Sequence, residues 1–385
     1  MFDYIVIGSG LSGSTITNLI AGKLNKKVLL IEKRDHFAGN CYDFVDENGI
    51  MVHKYGPHIF HTDNKKVFDY LSNFTQWSSY KHRVLAFIDG QKVSLPFNFN
   101  SIAELFPEKI SNVIQEKLIK KYGYGEKVSI LDIKESKDKD LAFLADFVYK
   151  KVFKNYTLKQ WGISLNELDA SVAKRVPVFI ARDDRYFSDC YQGVPVKGYT
   201  KMVENMLFHA NIKIMLNTDF KDVIDINLGT KKIYFMKEEF NGKLIFTGMI
   251  DELFNFKYGY LPYRSLKLDF ETVNEEYFQE APVVNYPNDY DFTRITEFKH
   301  MYPINSKKTI ILKEFPKDCK PNKDIPYYPI FTAKNQELYA KYQEEAEKFK
   351  SLILIGRLAE YKYYDMDDAV ERALEVFEGE ICNGK

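Results

Sequence analysis

Three groups of residues in this chain could do chemistry: glycines ahead of an acid, a run of histidines, and arginines set among tyrosines. Gly8-Ser9-Gly10-Leu11-Ser12-Gly13 follows the apolar run Tyr4-Ile5-Val6-Ile7, and Glu32 closes a second apolar run, Val28-Leu29-Leu30-Ile31. A strand, a glycine turn, a helix and a second strand ending in an acid is the order a dinucleotide site needs. Gly8 permits the tight turn, Gly10 and Ser9 let a pyrophosphate approach the backbone, and Gly13 lets the helix pack on the strand. Phosphate then rests at the helix N-terminus while Glu32 accepts from an adenosine ribose.

NAD and FAD both use this motif, and the rest of the chain favours the flavin. Lys33 and the turn Gly39-Asn40 follow Glu32, and a glycine turn there can run along an adenosine diphosphate. Leu244-Ile245-Phe246-Thr247-Gly248 reads as a buried strand ending in small residues, and Gly356-Arg357 with Asp365-Met366 can close over the far end of an extended cofactor.

His53, His58 and His61 flank the turn Tyr55-Gly56-Pro57. Zinc would want a third or fourth ligand and a carboxylate behind the histidines, and the Gly-Pro turn argues against a helical ligand pair, so they read as facing a flavin and no metal is expected. Tyr156-Thr157-Leu158-Lys159-Gln160-Trp161-Gly162 taken alone reads as helix-end packing. Arg264 and Arg294 lie in β-like runs, where a half-buried arginine needs a partner: either a carboxylate such as Glu297 or a bound phosphate. The charged stretch around Arg175 reads as a solvated face or a mobile loop.

The elements that must position these groups can be sketched from pattern. The 385 residues suffice for two or three lobes. Ile110, Val113, Ile114 and Leu118, then Leu141, Leu144, Ala145 and Val148, repeat at three and four, which predicts an inserted helical lobe. Runs such as Thr309-Ile310-Ile311-Leu312 between Leu266 and Phe315 predict an antiparallel sheet. The closing strand Leu352 to Ile355 and an amphipathic helix from Met366 to Phe377 return to the opening sheet. The fold class is therefore α/β: an FAD-binding Rossmann-like domain with an inserted helical lobe and an antiparallel β-sheet lobe. The expected boundaries are 1–85, 194–260 and 336–385 for the FAD-binding domain, 86–175 for the helical lobe with a mobile loop to about 193, and 261–335 for the sheet lobe. Net charge is zero, which argues against nucleic acid. No apolar run reaches a membrane span or resembles a signal peptide, and four scattered cysteines suggest reduced thiols, so a cytoplasmic location is expected.

A longer set of segments resembles one family, the bacterial-type UDP-galactopyranose mutases. They are the N-terminal glycine motif, Tyr55 to Thr62, Leu95-Pro96-Phe97-Asn98, Lys159-Gln160-Trp161-Gly162, Tyr186 to Asp189, Tyr191 to Pro195, Tyr263 to Leu266, Pro326-Tyr327-Tyr328-Pro329 and Gly356 to Met366. They run in family order over essentially the whole chain. The resemblance implies a redox-neutral isomerase interconverting UDP-galactopyranose and UDP-galactofuranose, with UDP-N-acetylgalactosamine left open as a second substrate. It implies FAD active in its reduced form, whose N5 attacks the anomeric carbon and proceeds through an iminium, with a reductant such as NAD(P)H for activation and a homodimer as the assembly. Residue by residue it implies Arg175 and Arg294 on the diphosphate together with Tyr186, Tyr328 and Tyr363. It places Tyr156, Trp161, Thr157 and Asn285 at the uracil and sugar wall, and Arg264 in support of flavin or sugar. Arg357 and Asp365 would bind FAD, and His58 and His61 would border the flavin, His61 with a catalytic role. The chain departs from the family pattern at Pro57, at Phe179 and at Tyr80-Lys81-His82-Arg83, where His82 replaces an asparagine near the ligand.

Overall fold

A computed structural model describes residues 2–162 and 177–382. A parallel sheet orders its strands Ile212–Met215, Val28–Ile31, Tyr4–Ile7, Lys243–Phe246 and Leu352–Leu354. These strands come from widely separated parts of the chain. They are short apolar runs because a parallel sheet is covered on both faces. Against one face pack the helices Leu11–Leu24, Gly198–Leu207 and Met366–Val376, and the opposite face carries its own apolar core around Phe246, Phe254, Tyr342 and Phe349.

The second sheet has seven strands in the order Tyr328–Pro329, Tyr263–Val273, Thr309–Asp318, Arg294–Glu297, Val283–Asn285, Val84–Ile88 and Gln91–Leu95. It is antiparallel except where Val283–Asn285 runs parallel to Val84–Ile88. The last two strands lie in the segment where the sequence suggests the helical lobe begins. Their alternation is masked by a nearly continuous apolar run, Val84-Leu85-Ala86-Phe87-Ile88, covered on one side by the helical lobe.

That lobe contains helices Glu108–Tyr122 and Lys139–Val148. Leu141, Leu144, Ala145 and Val148 are all buried, each large one stabilising by about 1.5–3 kcal/mol. In the first helix Ile114 and Leu118 are buried, but Ile110 and Val113 stay exposed at 46% and 43%, so periodicity there overstates the apolar face. A π-helical turn, Tyr149–Lys154, leads into the helix Asn155–Trp161. Among the described residues no helix is long and apolar enough to cross a membrane, and no cluster of potential metal ligands is found.

Candidate functional site

The first cleft lies at the carboxyl ends of the parallel strands, where ligands sit in open α/β sheets. Its volume is about 570 Å³. Backbone builds much of it. A Cβ on Gly13 would fall 1.9 Å from the Gly8 carbonyl oxygen, so the helix is seated directly on the turn. A Cβ on Gly39, whose φ is +57°, would fall 2.7 Å from the Gly10 Cα, so the second turn crosses the first at backbone contact. Glu32 is buried, and its Oε2 accepts from the Ser9 backbone N–H at 2.9 Å and from the Ser9 hydroxyl at 2.7 Å. Ser9 thereby fixes the acid rather than lining the cleft.

Gly8, Gly10, Gly13, Glu32, Lys33, Gly39, Asn40, His58, Gly248, Arg357, Asp365 and Met366 all line this cleft. Lys33 is ion-paired to Asp219 at 2.8 Å. Asp365 and Met366 bring the N-terminus of the helix Met366–Val376, whose dipole favours an anion. The wall also includes Thr218 to Phe220 and Asn322 to Tyr327; of these, sequence reasoning singled out only Pro326 and Tyr327, within a family-like segment, and gave them no cofactor role. No motif marks the others, because only the strand order and the connection from Thr309–Asp318 to Tyr328–Pro329, which flank Tyr263–Val273 on opposite edges, bring them over the cleft.

The loop under the cleft is held by its histidines. His58 donates its backbone N–H to His53 Nδ1 at 3.0 Å, and His58 Nδ1 lies 2.8 Å from the Gly56 carbonyl. A carbonyl only accepts, so Nδ1 carries the proton and His58 Nε2 is an acceptor. Burial pushes His58 down to about 4, with Arg357 and Arg294 adding to the effect against the Gly56 carbonyl. Burial likewise pushes His53 down to about 3. Both rings are neutral. His61 stands outside the cleft wall: its ring stacks on Phe187 at 3.7 Å and its Nδ1 lies 3.4 Å from Asp189.

The second site forms beside Arg357. Asn285, Arg294 and Glu314 are in register on neighbouring strands, and so share one face of the sheet. Arg294 Nε donates to Glu314 Oε1 at 2.6 Å, and Glu314 is buried. Burial opposes the guanidinium's charge, but the Glu314 carboxylate and the Tyr156 oxygen outweigh it and hold Arg294 above its ordinary range. The carboxylate partner is thus Glu314 and not Glu297, whose oxygens are taken by Thr309, Phe278 and Gln279.

Tyr156 and Tyr328 are half-buried and Tyr186 is exposed, and all three phenols feel the Arg294 charge, so the structure brings these four together. Burial raises each phenol, which keeps its hydroxyl proton. Tyr328 and Tyr363 stack at 6.1 Å, and the Arg357 guanidinium lies 5.6 Å from one ring and 5.7 Å from the other. Arg357 therefore joins the two sites. His82 sits between Tyr186 and Phe187, at 5.8 and 5.9 Å. Its Nδ1 bonds the Tyr80 hydroxyl at 2.8 Å, and burial, then Arg294 and His61, push it down to about 3. Thr157 is buried one residue from Tyr156.

Arg264 is placed differently from the expectation of a flavin or sugar contact. Its Nε and Nη2 each donate at 3.0 Å to the Gln160 and Lys159 carbonyls, and Nη1 pairs with Asp318. Trp161 is the last residue of that helix. Arg175 lies outside the described residues; of the loop expected to run to about 193, residues 177–193 are described, and within them Pro177–Phe179 pairs with Lys127–Ser129 and Tyr191–Gly193 with Phe60–Thr62.

A long cleft whose glycines admit backbone-close phosphate, continuous with a cationic, tyrosine-lined site, fits a bound dinucleotide flavin beside a nucleotide sugar. Comparison with known proteins agrees. Residues 151–363 match the family model described as UDP-galactopyranose mutase, and residues 6–74 match a model for NAD(P)-binding Rossmann-like domains. The dTDP-fucopyranose mutase of Escherichia coli is 37% identical over 388 residues, covering 100% of each chain. The probable UDP-galactopyranose mutase of Klebsiella pneumoniae is 37% identical over 376 residues, covering 97% of this chain and 93% of that one. A crystal structure of reduced UDP-galactopyranose mutase superposes with a TM-score of 0.76 at 17% identity, covering 100% of this chain and 94% of that one, a likeness of fold. With the family model spanning more than half of the chain and relatives matching nearly all of it, this chain belongs to the UDP-galactopyranose mutase family, as an enzyme whose cofactor is FAD.

Proposed function

We propose that this protein interconverts the six-membered and five-membered ring forms of UDP-galactose. The observation that carries the proposal is Arg294, fixed by a buried Glu314, ringed by Tyr156, Tyr186 and Tyr328, and opening next to the FAD cleft at Arg357. When bound and reduced, FAD supplies an electron-rich nitrogen as nucleophile toward the anomeric carbon, with no net consumption of electrons.

The residues of the chain do the rest. A diphosphate that leaves and must return has to be held throughout, and arginine keeps its charge and grips phosphate oxygens in a fork. A charge pair at about 4 Å in an effective dielectric near 20 gains roughly 4 kcal/mol before desolvation. Arg294 serves this role, with Arg175 as its partner and the Tyr186, Tyr328 and Tyr363 hydroxyls completing the grip. Tyr156 and Thr157 form the base-side wall, a role the family resemblance also gives Trp161, while Asn285 and His82 face the sugar. His58 Nε2 offers the flavin a neutral acceptor, and His61, set against Phe187 and Asp189, borders the flavin's reactive edge. The same reading carries a homodimer and a cytoplasmic location.

A second substrate reading has its own support, since the dTDP-fucopyranose mutase matches at full length. Fucose is the 6-deoxy form of galactose, so the two substrates differ at the base, the ribose and one hexose hydroxyl. Chromatography of UDP-galactose, dTDP-fucose and UDP-N-acetylgalactosamine after incubation with dithionite-reduced protein decides between them. Furanose from UDP-galactose, formed by reduced and not by oxidised enzyme, is expected. Furanose from dTDP-fucose alone would replace the first reading with the second, and no furanose from any substrate would refute both.

A further inference from the structure

The carbonyls of a helix's last turn have no partner within the helix, and a cation there is stabilised by the helix dipole. The helix Asn155–Trp161 ends this way on Arg264, which donates from Nε to the Gln160 carbonyl and from Nη2 to the Lys159 carbonyl while Nη1 pairs with Asp318. The residue is 5% exposed, so its two bonds to the helix carbonyls form away from water, while its partner Asp318 is solvent-exposed. Gly162 completes the fit. It caps the helix at φ +70°, and a Cβ there would lie 2.7 Å from Arg264 Nη1, so the guanidinium occupies the space any other residue would fill.

The backbone of Arg264 performs a second task. Arg264 is paired with Tyr328 in the sheet, and its carbonyl accepts from the Tyr327 N–H at 2.9 Å. One residue thus fixes, through its side chain, the helix that carries Tyr156 and Thr157, and through its main chain, the strand that carries Tyr328. Tyr156 and Tyr328 are walls of the same site and feel the same Arg294 charge.

We propose that Arg264 is a positioning residue, a strut that sets the distance between the two walls of the nucleotide-sugar site without touching flavin or sugar. This rests on the nucleotide-sugar reading of that site. The step from structure to function is direct: each wall contributes to ground-state binding, and a change in their separation weakens the grip on substrate while the reacting centre beside the FAD cleft is untouched. Such a loss raises KM and spares kcat.

The test uses the FAD-loaded protein and the variants Arg264→Lys, Arg264→Met and Asp318→Asn. Lysine keeps the charge but not the fork, so it should recover only part of what methionine loses. Expected for Arg264→Met are a rise in KM of about tenfold or more with kcat within about threefold, and unchanged FAD content and visible spectrum. Hydrogen–deuterium exchange should quicken in 155–161 and 327–329 and not in the strands of the parallel sheet. Asp318→Asn should move in the same direction by about two- to threefold, and it covers the case in which the Arg264 variants fail to fold. A fall in kcat of a hundredfold at unchanged KM, or a shifted flavin spectrum, would show direct contact with the reacting groups and overturn the proposal. So would unchanged KM and unchanged exchange. The exchange measurement needs no turnover: quickened exchange in both walls, beside a wild-type protein that forms no furanose, would keep the strut and remove the function.

Discussion

The FAD cleft and the nucleotide-sugar site lie side by side but are built by opposite means. The cleft is largely backbone: two glycine turns in van der Waals contact, a helix seated on one of them and an acid tied to Ser9. The sugar site is largely side chain. Its arginine, its carboxylate and its phenols come from strands, a helix and loops scattered from Tyr156 to Tyr363, and no two adjacent in sequence do the main work. A backbone site tolerates almost no added volume, because there is no rotamer to move aside. A side-chain site tolerates reshaping but depends on charge balance, because a buried cation stands only beside its partner.

The sharpest way to break the comparison is to add one methyl group to the backbone site. Gly13→Ala places a carbon against the Gly8 carbonyl oxygen, where the helix itself must shift, beyond the ~1–3 kcal/mol of ordinary overpacking. The variant is expected to purify without FAD and therefore without activity, read as loss of the flavin absorbance. A yellow Gly13→Ala protein would show that the cleft is less rigid than its contacts imply.

In the side-chain site, Arg294→Ala should lower kcat/KM by about 2–4 kcal/mol, roughly 30- to 1000-fold, while FAD stays bound. The combination is the point, since losing a group in one site should leave the other intact. Loss of flavin from Arg294→Ala would mean that the two sites are one energetic unit joined through Arg357, and near-normal turnover would remove Arg294 from the reaction.

The smallest effect concerns protons, and both sites share it. His53 and His58 beneath the cleft and His82 in the sugar site are held neutral by burial, at about 3, 4 and 3. Each folded value lies below the unfolded one near 6.5, so stability is at its full value above pH 6.5. As pH falls from there toward 4, the unfolded chain takes up protons that the folded chain refuses, and each histidine removes up to about 1.4 kcal/mol per pH unit. Denaturant melts of the protein between pH 7 and 4.5 should show this loss, and His82→Asn should flatten it by about one histidine's share. An unchanged slope in His82→Asn would mean that this ring is protonated in the folded state and that its burial is relieved by a group not yet identified.

Much of the cleft was legible in the sequence because its parts are local. Gly8 to Gly13 and Glu32 form one βαβ unit, and the late strand–glycine–helix unit around Gly356 and Met366 repeats the pattern, so types and spacing alone carried the geometry. The parts of the cleft that were not legible, Thr218 to Phe220 and Asn322 to Ile325, have no pattern of their own and arrive by strand order and by the connection between Thr309–Asp318 and Tyr328–Pro329. In the sugar site the residue types were legible but the partners were not. An arginine in a β-like run announced the need for a counter-charge, yet the sequence offered nearby Glu297, whereas the pairing of Arg294–Glu297 with Thr309–Asp318 set Glu314 opposite Arg294. Arg264 shows the same limit from the other side, since nothing in Tyr263-Arg264-Ser265 reveals that its guanidinium is spent on the end of a helix a hundred residues earlier.

What the sequence determined by itself is what depends on backbone shape over a few residues: the dinucleotide turn, the periodic helices and the short apolar strands. What only the tertiary structure decided is which charges meet, because strand register, and not proximity along the chain, selects the carboxylate that a half-buried arginine will find.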